Sequence, residues 1–333
     1  MILAGIDIGT NTLRLLIAEI GEDTFHERYS DTTITRLGQD LERTGELTIE
    51  AMERSIPVLA GFAGKVREHS AVMLSAVGTS ALRKAGNREA FIRGVRETAG
   101  IDITVINGEE EARLTLLGVG RALRRIGGDD LESALVMDIG GGSTEVIKTR
   151  HGSAPVEMSI PIGAVYLTER FIRQDPPTSE DMALLRQAVR DKIRSLDNAD
   201  QDAHAETSLP GLCVGTAGTS TTLAAMDQEM NVYDPEKING YTLGRASLDR
   251  IVEHLTTSTL AERREIRGLE KGREDIILAG AVVAQEIMGR YEYNEMIVSD
   301  WGLREGIVLD LYEQMTAKHH ISHKDTKARR NAL

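Results

Sequence analysis

The 333 residues carry a net charge of −13, and 41% of the side chains are hydrophobic. A chain of this length exceeds what one hydrophobic core usually supports, so we expect two domains. The negative charge argues against nucleic-acid partners, while the lack of a long apolar run or a charged signal-peptide n-region argues against a membrane span and secretion, which predicts a cytoplasmic protein.

Three apolar segments open the chain, at residues 2–8, 13–20 and 25–37, and short polar turns separate them. This pattern predicts an antiparallel meander of three strands. A helix follows, because apolar side chains recur at helical spacing from Met52 to Val66. Pro57 lies inside that pattern and predicts a kink or a late start.

The rest of the first half alternates strands with helices. We predict a buried strand at residues 71–77, a helix that Asn87 caps and that closes at Gly100, a strand at 101–106 and a helix at 109–126. The polar run Gly127-Gly128-Asp129-Asp130 follows and is the predicted domain boundary.

The second half repeats this plan, with a new meander at residues 134–138, 145–149 and 155–160. Pro176-Pro177 starts a helix that runs to about residue 196, and residues 198–210 form a polar loop. A strand at 211–214 and helices at 222–226, 247–255 and 274–291 come next. The last predicted helix, at 303–315, either stays with the second half or packs back on the first.

Two Asp-Ile-Gly turns occupy the same place in each half, between the first two strands of each meander. They read Asp7-Ile8-Gly9-Thr10-Asn11-Thr12 and Asp138-Ile139-Gly140-Gly141-Gly142-Ser143-Thr144. Glycine lets backbone N–H groups converge on an anion, hydroxyls add donors, and the aspartate can hold a divalent cation on the same phosphate. The chain is therefore predicted to grip phosphates between two halves.

Two further loops follow predicted strands. The first is Gly215-Thr216-Ala217-Gly218, which precedes a helix, and helix N-termini after such loops bind anions. The second runs from Gly78 to Arg83, whose guanidinium could pair with phosphate oxygens. One such loop alone is typical of an ordinary turn, but several at matching positions favour phosphate binding.

The carboxylate run Glu109-Glu110-Glu111 lies at the start of a predicted helix. One explanation is ordinary, since acidic side chains stabilise a helix N-terminus through the macrodipole. The other is catalytic, because hydrolysis of a phosphoanhydride needs a group that orients or deprotonates water.

Together these strings make the chain resemble the Ppx/GppA family of exopolyphosphatases and guanosine pentaphosphate phosphatases, within the actin, Hsp70 and sugar kinase superfamily. The resemblance covers about residues 1–312 and includes Asp300-Trp301-Gly302-Leu303-Arg304-Glu305-Gly306. It implies an α/β fold of two ribonuclease H-like (actin/Hsp70-type) domains with an interdomain active-site cleft. The domains would span 1–126 and 127–312, followed by a basic tail at 313–333 that packs back on the first domain or is disordered.

The resemblance also implies roles for individual residues. Glu111, directly before Ala112-Arg113, matches the catalytic carboxylate that activates water. Asp138 and Glu145, together with Asp7, would hold the metal, Mg²⁺ or Mn²⁺. The predicted phosphate-binding residues are Thr10, Asn11, Thr12, Arg14, Arg83, Gly140, Gly141, Gly142, Ser143, Thr144, Gly215, Thr216 and Gly218.

The leading hypothesis for function is an exopolyphosphatase that releases terminal phosphate from inorganic polyphosphate and prefers short chains. The alternative within the family is a pppGpp 5'-phosphohydrolase, and from another class an ATP-dependent kinase or nucleotide-binding ATPase. Relatives commonly form homodimers, so a homodimer is expected.

A polyanionic substrate needs a local basic track on this acidic protein. Two stretches are candidates: one spans residues 83–96, with Arg83, Lys84, Arg88, Arg93 and Arg96, and the other is the basic tail. His319, His320 and His323 in that tail have spacing that could hold a metal, but no carboxylate-rich motif accompanies them.

Overall fold

The computed structural model describes residues 1–127, 131–199 and 211–330. The rest of the predicted boundary, Gly128-Asp129-Asp130, lies outside the described residues. So do most of the predicted loop, at residues 200–210, and the side chains of the three tail histidines.

The first sheet has five strands in the order β3-β2-β1-β4-β5. The first three are antiparallel, as predicted, and the last two run parallel to β1. β3 ends three residues before the predicted position, because Arg36 adopts a left-handed conformation with φ 52°. The strands are β1 (Ile2–Ile8), β2 (Thr12–Ile20), β3 (Phe25–Ile34), β4 (Met73–Gly78) and β5 (Ile103–Val105).

Five helices belong to the first half of the chain. Pro57 lies inside an unbroken helix that begins at Ile49, where the Thr48 side chain caps the first turn, so the predicted late start is wrong. Asn87 occupies the predicted N-cap position, but its side chain bonds to the backbone of Leu47 and makes no cap hydrogen bond. That helix ends at Gly100 as predicted, with the glycine at φ 67°. The helices are α1 (Leu41–Thr44), α2 (Ile49–Glu68), α3 (Ser80–Lys84), α4 (Arg88–Ala99) and α5 (Gly108–Arg125).

The second sheet repeats the first and adds one edge strand, in the order β10-β11-β9-β6-β7-β8. The added strand, β10, pairs antiparallel with β11. Neither of these two strands was predicted, because four residues carry too little periodicity. The strands are β6 (Ala134–Ile139), β7 (Thr144–Thr149), β8 (Val156–Ile160), β9 (Leu212–Thr216), β10 (Tyr241–Gly244) and β11 (Glu295–Val298). Both sheets therefore have the ribonuclease H-like order that the resemblance implies.

The helices of the second half begin and end differently from the predictions at two places. The helix predicted at 222–226 already starts at Ala217, within the third glycine-rich loop. The last helix continues well past residue 315. The helices are α6 (Ala164–Phe171), α7 (Ser179–Ala199), α8 (Ala217–Asp227), α9 (Pro235–Ile238), α10 (Arg245–Thr257), α11 (Leu260–Arg263), α12 (Ile277–Arg290) and α13 (Leu303–Arg330).

The helices α5 and α13 lie between the two sheets, and each packs on the sheet formed by the other half of the chain. α5 follows the strands of the first sheet, yet its side chains, including Ala112 and Val119, pack on β6 and β7 of the second. α13 follows the second sheet, yet Val308 and Leu311 pack on Leu3 of the first. The last helix thus packs back on the first sheet, one of the two arrangements that the sequence left open.

The two helices cross each other at glycines. A Cβ atom on Gly306 would lie 1.8 Å from the Leu114 carbonyl oxygen, and one on Gly118 would lie 2.1 Å from the carbonyl oxygen of Gly302. Only glycine allows backbones to approach this closely. Within residues 1–127, 131–199 and 211–330, no helix combines the length and apolar character needed to cross a bilayer.

Candidate active site

The two Asp-Ile-Gly turns are equivalent hairpins. In the first, the backbone N–H of Gly9 donates to the carbonyl oxygen of Thr12 at 3.0 Å, and in the second that of Gly140 donates to Ser143 at 3.0 Å. We call them hairpin 1 (Asp7–Arg14) and hairpin 2 (Asp138–Glu145). The terminal residues of each range face each other across the strand pair, so the two segments align residue by residue.

The hairpins meet tip to tip. A Cβ atom on Gly142 would lie 2.8 Å from the hydroxyl oxygens of both Thr10 and Ser80, and one on Gly141 would lie 3.1 Å from Cβ of Thr10. The glycines of hairpin 2 therefore make room for side chains of the first half. The result is a floor of backbone N–H groups and hydroxyls contributed by both sheets, which suits a phosphate group.

The third glycine-rich loop joins this floor through an arginine. Ala217 has φ 63°, a left-handed conformation that turns successive N–H groups toward one side at the start of α8. Gly218 leaves space for Arg273, whose Nη2 would lie 2.2 Å from a Cβ at that position. The same Nη2 lies 3.5 Å from the hydroxyl of Thr12. Arg273 thus places a buried cation between two loops.

The catalytic candidate Glu111 lies in the first turn of α5, which Asn107 caps by accepting a hydrogen bond from the Glu110 backbone N–H at 2.8 Å. Its side chain is buried. Arg83 donates to the Glu111 carboxylate and, through the same nitrogen, to the carbonyl oxygen of Ile106 at 3.1 Å. The other two glutamates of the run are more exposed.

Arg83 also connects Glu111 to hairpin 2. Its Nη2 lies 3.5 Å from the Ser143 hydroxyl and 3.7 Å from the Glu145 carboxylate. Glu145 is almost fully buried and accepts hydrogen bonds from Ser143 at 3.0 Å and from Ser159 at 2.8 Å. The Arg83 guanidinium therefore interacts with the carboxylates of both Glu111 and Glu145.

Burial raises the pKa of Glu111 well above its usual value, and the neighbouring Glu145 raises it further. Burial, followed by the charge of Asp138, raises the pKa of Glu145 to about 7. A buried carboxyl whose pKa is raised is suited to accepting a proton from a reacting group.

A model of the Ppx/GppA phosphatase family matches residues 16–315. The chain belongs to this family. It is 34% identical to exopolyphosphatase 2 of Mycobacterium tuberculosis over 93% of this chain and 98% of the relative. It is 29% identical to a guanosine-5'-triphosphate,3'-diphosphate pyrophosphatase of Photobacterium profundum, over 95% of this chain and 60% of the relative.

A solved exopolyphosphatase from Cytophaga hutchinsonii has the same fold. The two structures superpose with a TM-score of 0.85 at 30% sequence identity, covering 94% of this chain and 98% of that one. The two-domain actin-like architecture that the sequence predicted is thereby confirmed. The predicted domain limits stay a prediction, and the exchange of α5 and α13 shows that each sheet is covered by a helix from the other half.

Most of the predicted site residues of this Ppx/GppA chain line one cavity of about 780 Å³ between the sheets. Two do not line it. Thr144 donates its hydroxyl to the Ile162 carbonyl oxygen at 2.7 Å, and a Cβ on Gly215 would meet the Met296 sulfur at 2.4 Å. Their contacts give them packing roles and do not support phosphate binding. Arg83 and Glu145 reach the cavity through their contacts with Glu111 and Ser143.

The carboxylates Asp7 and Asp138 line the cavity and are buried. Arg14 donates to one oxygen of Asp7 at 3.3 Å, and the other oxygen has no hydrogen-bond partner. Burial raises the pKa of Asp7, and it raises the pKa of Asp138 to about 6. An unpartnered buried oxygen beside a second carboxylate is suited to a cation.

This set fits Mg²⁺ held jointly with substrate. Across the described ranges, no three His, Cys, Asp or Glu side chains are grouped to hold an ion by themselves. Mg²⁺ needs no such cage, because it usually binds through one or two carboxylates, several waters and the phosphates of the substrate. Asp7 and Asp138 supply the two carboxylates. Glu145 Oε1 already accepts hydrogen bonds from two hydroxyls and lies 3.7 Å from Arg83, so the predicted metal role of Glu145 stays a prediction.

Sequence reasoning missed Ser80 and Arg273, which contact the hairpins, and the cavity wall at residues 264–271. Arg273 carries one sequence signal, since it lies three residues before the long apolar run that begins at Ile276, and a cation drawn into the interior there has to be paired. Residues 264–271 contain no recognisable sequence motif, and their position beside the cleft follows only from the fold.

Proposed function

We propose that this protein is an exopolyphosphatase that hydrolyses the terminal phosphoanhydride bond of inorganic polyphosphate and releases orthophosphate. The observation that carries the proposal is the buried Glu111, held by Arg83 at the edge of a floor of phosphate-binding loops. The name of the mycobacterial relative, which this chain matches over nearly its full length, supports the same activity.

The chain's residues account for the reaction as follows. The terminal phosphoryl group rests on hairpins 1 and 2, where N–H groups and hydroxyls face its oxygens. Glu111 accepts a proton from a water molecule, whose oxygen forms a bond to the terminal phosphorus while the bridging P–O bond breaks. Orthophosphate and a chain shorter by one phosphate result. Arg83 orients Glu111, and Arg273 adds positive charge beside Thr12.

We further propose that Asp7 and Asp138 hold Mg²⁺. When bound, the ion supplies positive charge to the phosphoryl oxygens. The raised pKa of Asp138 and the unpartnered oxygen of Asp7 support this assignment. Activity that persists unchanged after exhaustive chelation would contradict it.

A cytoplasmic homodimer is also part of the proposal. The acidic composition and the absence of a bilayer-crossing helix in the described part of the chain agree with the location. The family resemblance supports the dimer. Sedimentation of the purified protein tests the dimer, and fractionation of the source cells tests the location.

Hydrolysis of pppGpp to ppGpp is the second candidate. The Photobacterium relative is named for that kind of substrate. The outer part of the cavity is lined by Met230, Tyr233 and Ile266, which offer apolar surface to a purine. A kinase or a plain ATPase has less support, because the relatives above are named for polyphosphate and for guanosine-5'-triphosphate,3'-diphosphate.

The decisive experiment measures phosphate release with Mg²⁺ from long polyphosphate, tripolyphosphate, pppGpp and ATP. We expect polyphosphate to be the best substrate and Glu111→Gln to lose at least about 10³-fold in kcat while still binding polyphosphate. Glu109→Gln is the matched control, because it changes a glutamate of the same turn that lies outside the cavity lining, and it should stay within twofold of wild type. Equal losses in both variants, or none, would remove Glu111 from the mechanism.

A further inference from the structure

The wall of the cavity at residues 264–273 is a basic loop between α11 and α12. Six consecutive residues, 266–271, line the cavity, as do Arg264 and Arg273. The loop carries four cations, Arg264, Arg267, Lys271 and Arg273, and two glutamates, Glu265 and Glu270. Arg273 pairs with Glu270, so the net positive charge of the loop is carried by its exposed cations. We call residues 264–273 the cationic loop.

A buried arginine anchors this loop. The Arg263 side chain is only 1% exposed. It donates to the Leu255 carbonyl oxygen at 3.1 and 2.7 Å and to the Glu274 carbonyl oxygen at 3.2 Å. These bonds tie the start and the end of the loop to α10, so the loop conformation is fixed before a ligand binds.

Two glycines hold the middle of the loop against its neighbours. Gly268 has φ 82°, and a Cβ there would lie 2.1 Å from the Ala225 carbonyl oxygen of α8. Gly272 has φ 89° and accepts a hydrogen bond from Arg36 of the first half at 3.0 Å. Neither position admits a side chain without strain. The cations are therefore presented from a rigid backbone.

The four cations differ in burial. Arg273 is buried beside Thr12 and Gly218, whereas the other three are exposed. Within the described ranges Lys271 makes no ion pair, and Arg267 has one partner, Glu229, at 3.9 Å. Arg264 pairs with Glu274 at 3.2 Å. Such exposed pairs are weak and exchange readily for a phosphate.

The basic stretch that the sequence suggested does not form a comparable track. Arg83 turns into the site, but Arg88 pairs with Glu89 and Arg96 with Asp102 on the surface of the first half. Neither of these, nor Arg93, lines the cavity. Lys84 donates to the Gly142 carbonyl oxygen of hairpin 2 at 3.2 Å and pairs with Glu42. The cationic loop, in contrast, lines the cavity next to the phosphate-binding floor.

We propose that the cationic loop binds the departing part of the polyphosphate chain, beyond the phosphates held by the hairpins. This rests on the proposed function. Each phosphate of the chain carries negative charge, and three exposed cations in a row attract a linear polyanion without requiring a fixed register. The loop thus makes affinity depend on chain length, while the reacting phosphate stays with the hairpins.

The test compares the double variant Arg267→Gln/Lys271→Gln with the control Arg93→Gln/Arg96→Gln, which removes the same charge away from the cavity. For long polyphosphate we expect KM to rise about 5- to 20-fold with kcat unchanged, and for tripolyphosphate less than twofold. The slope of log KM against log salt concentration should fall by roughly one per lost cation. The control should match wild type in all three measurements.

Equal changes for both chain lengths, or none, would overturn the proposal, and a change confined to pppGpp would assign the loop to a nucleotide instead. Titration calorimetry of the same chains measures binding without turnover. A wild-type protein that binds long polyphosphate through the loop but releases no phosphate would contradict only the proposed function. An active wild type with unchanged KM in the double variant would contradict only the loop.

Discussion

Hairpins 1 and 2 have equivalent backbones but different chemistry at three positions. Arg14 of hairpin 1 corresponds to Glu145 of hairpin 2, and Thr10-Asn11 corresponds to Gly141-Gly142. The two copies of the turn thus supply different groups to the same site. Hairpin 1 supplies side chains and a partner for its aspartate, and hairpin 2 supplies space and a second acid.

Because Arg14 and Glu145 carry opposite charges, Asp7 and Asp138 lie in different electrostatic environments. Asp7 has a guanidinium at 3.3 Å, whereas Asp138 faces Glu145 and accepts one hydrogen bond from Thr115, also at 3.3 Å. Asp138 therefore has the greater need for a bound cation. The same turn thus places an acid opposite a base in hairpin 1 and two acids opposite each other in hairpin 2.

The largest effect should come from removing the aspartate of hairpin 2. We expect Asp138→Asn to reduce kcat about 10³-fold and to raise the Mg²⁺ concentration needed for half-maximal activity. Asp7→Asn should cost only about tenfold to 100-fold, because Arg14 still offers a donor at that side. Steady-state rates over a magnesium titration measure both. Identical losses would show that the two aspartates are interchangeable.

A smaller effect should come from filling the space in hairpin 2. Gly142→Ala places a methyl group 2.8 Å from the hydroxyl oxygens of Thr10 and Ser80, which forces the hairpins apart. We expect kcat/KM for polyphosphate to fall roughly 10- to 100-fold. In Gly140→Ala the nearest atom is the Ser143 carbonyl oxygen at 3.2 Å, and the loss should be several-fold smaller. The reverse order would falsify the tip-to-tip contact.

The smallest effect concerns stability. The pKa values of about 6 for Asp138 and about 7 for Glu145 lie above those of exposed carboxyls. In that case the folded protein binds more protons than the unfolded chain, so stability falls as pH rises from about 4.5 to 7. Without metal, we expect each of the two carboxyls to lower the free energy of unfolding by up to about 3 kcal/mol across this window.

Thermal unfolding between pH 5 and pH 8 measures this slope, and Mg²⁺ should restore part of the stability at pH 8. Glu145→Gln should flatten the slope, whereas Glu89→Gln on the exposed face of α4 should leave it unchanged. A slope that is the same in both variants would mean that the titrating groups lie elsewhere.

The sequence predicted what is local in the chain. The hairpins, the Glu111 turn and the meanders depend on neighbouring residues, so their motifs and periodicity sufficed. The wall at 264–273 and the contact between Arg273 and Thr12 depend on residues far apart in sequence. The stretches 83–96 and 264–273 are similarly basic in the sequence, and only the fold shows which of them faces the substrate cavity. The position of Thr144 and Gly215 outside the cavity lining also follows only from the fold, and their predicted phosphate binding stays a prediction.

The exchange of α5 and α13 also sets an order for folding during synthesis. α5, which covers β6 and β7, is already made when those strands leave the ribosome, so the second sheet can close as it emerges. The first sheet has to wait, because Leu3 packs on Val308. At roughly 5–20 residues per second this delay lasts about 15 to 60 s. The apolar face with Leu16 and Phe25 is therefore the part of the nascent chain that most needs protection from aggregation.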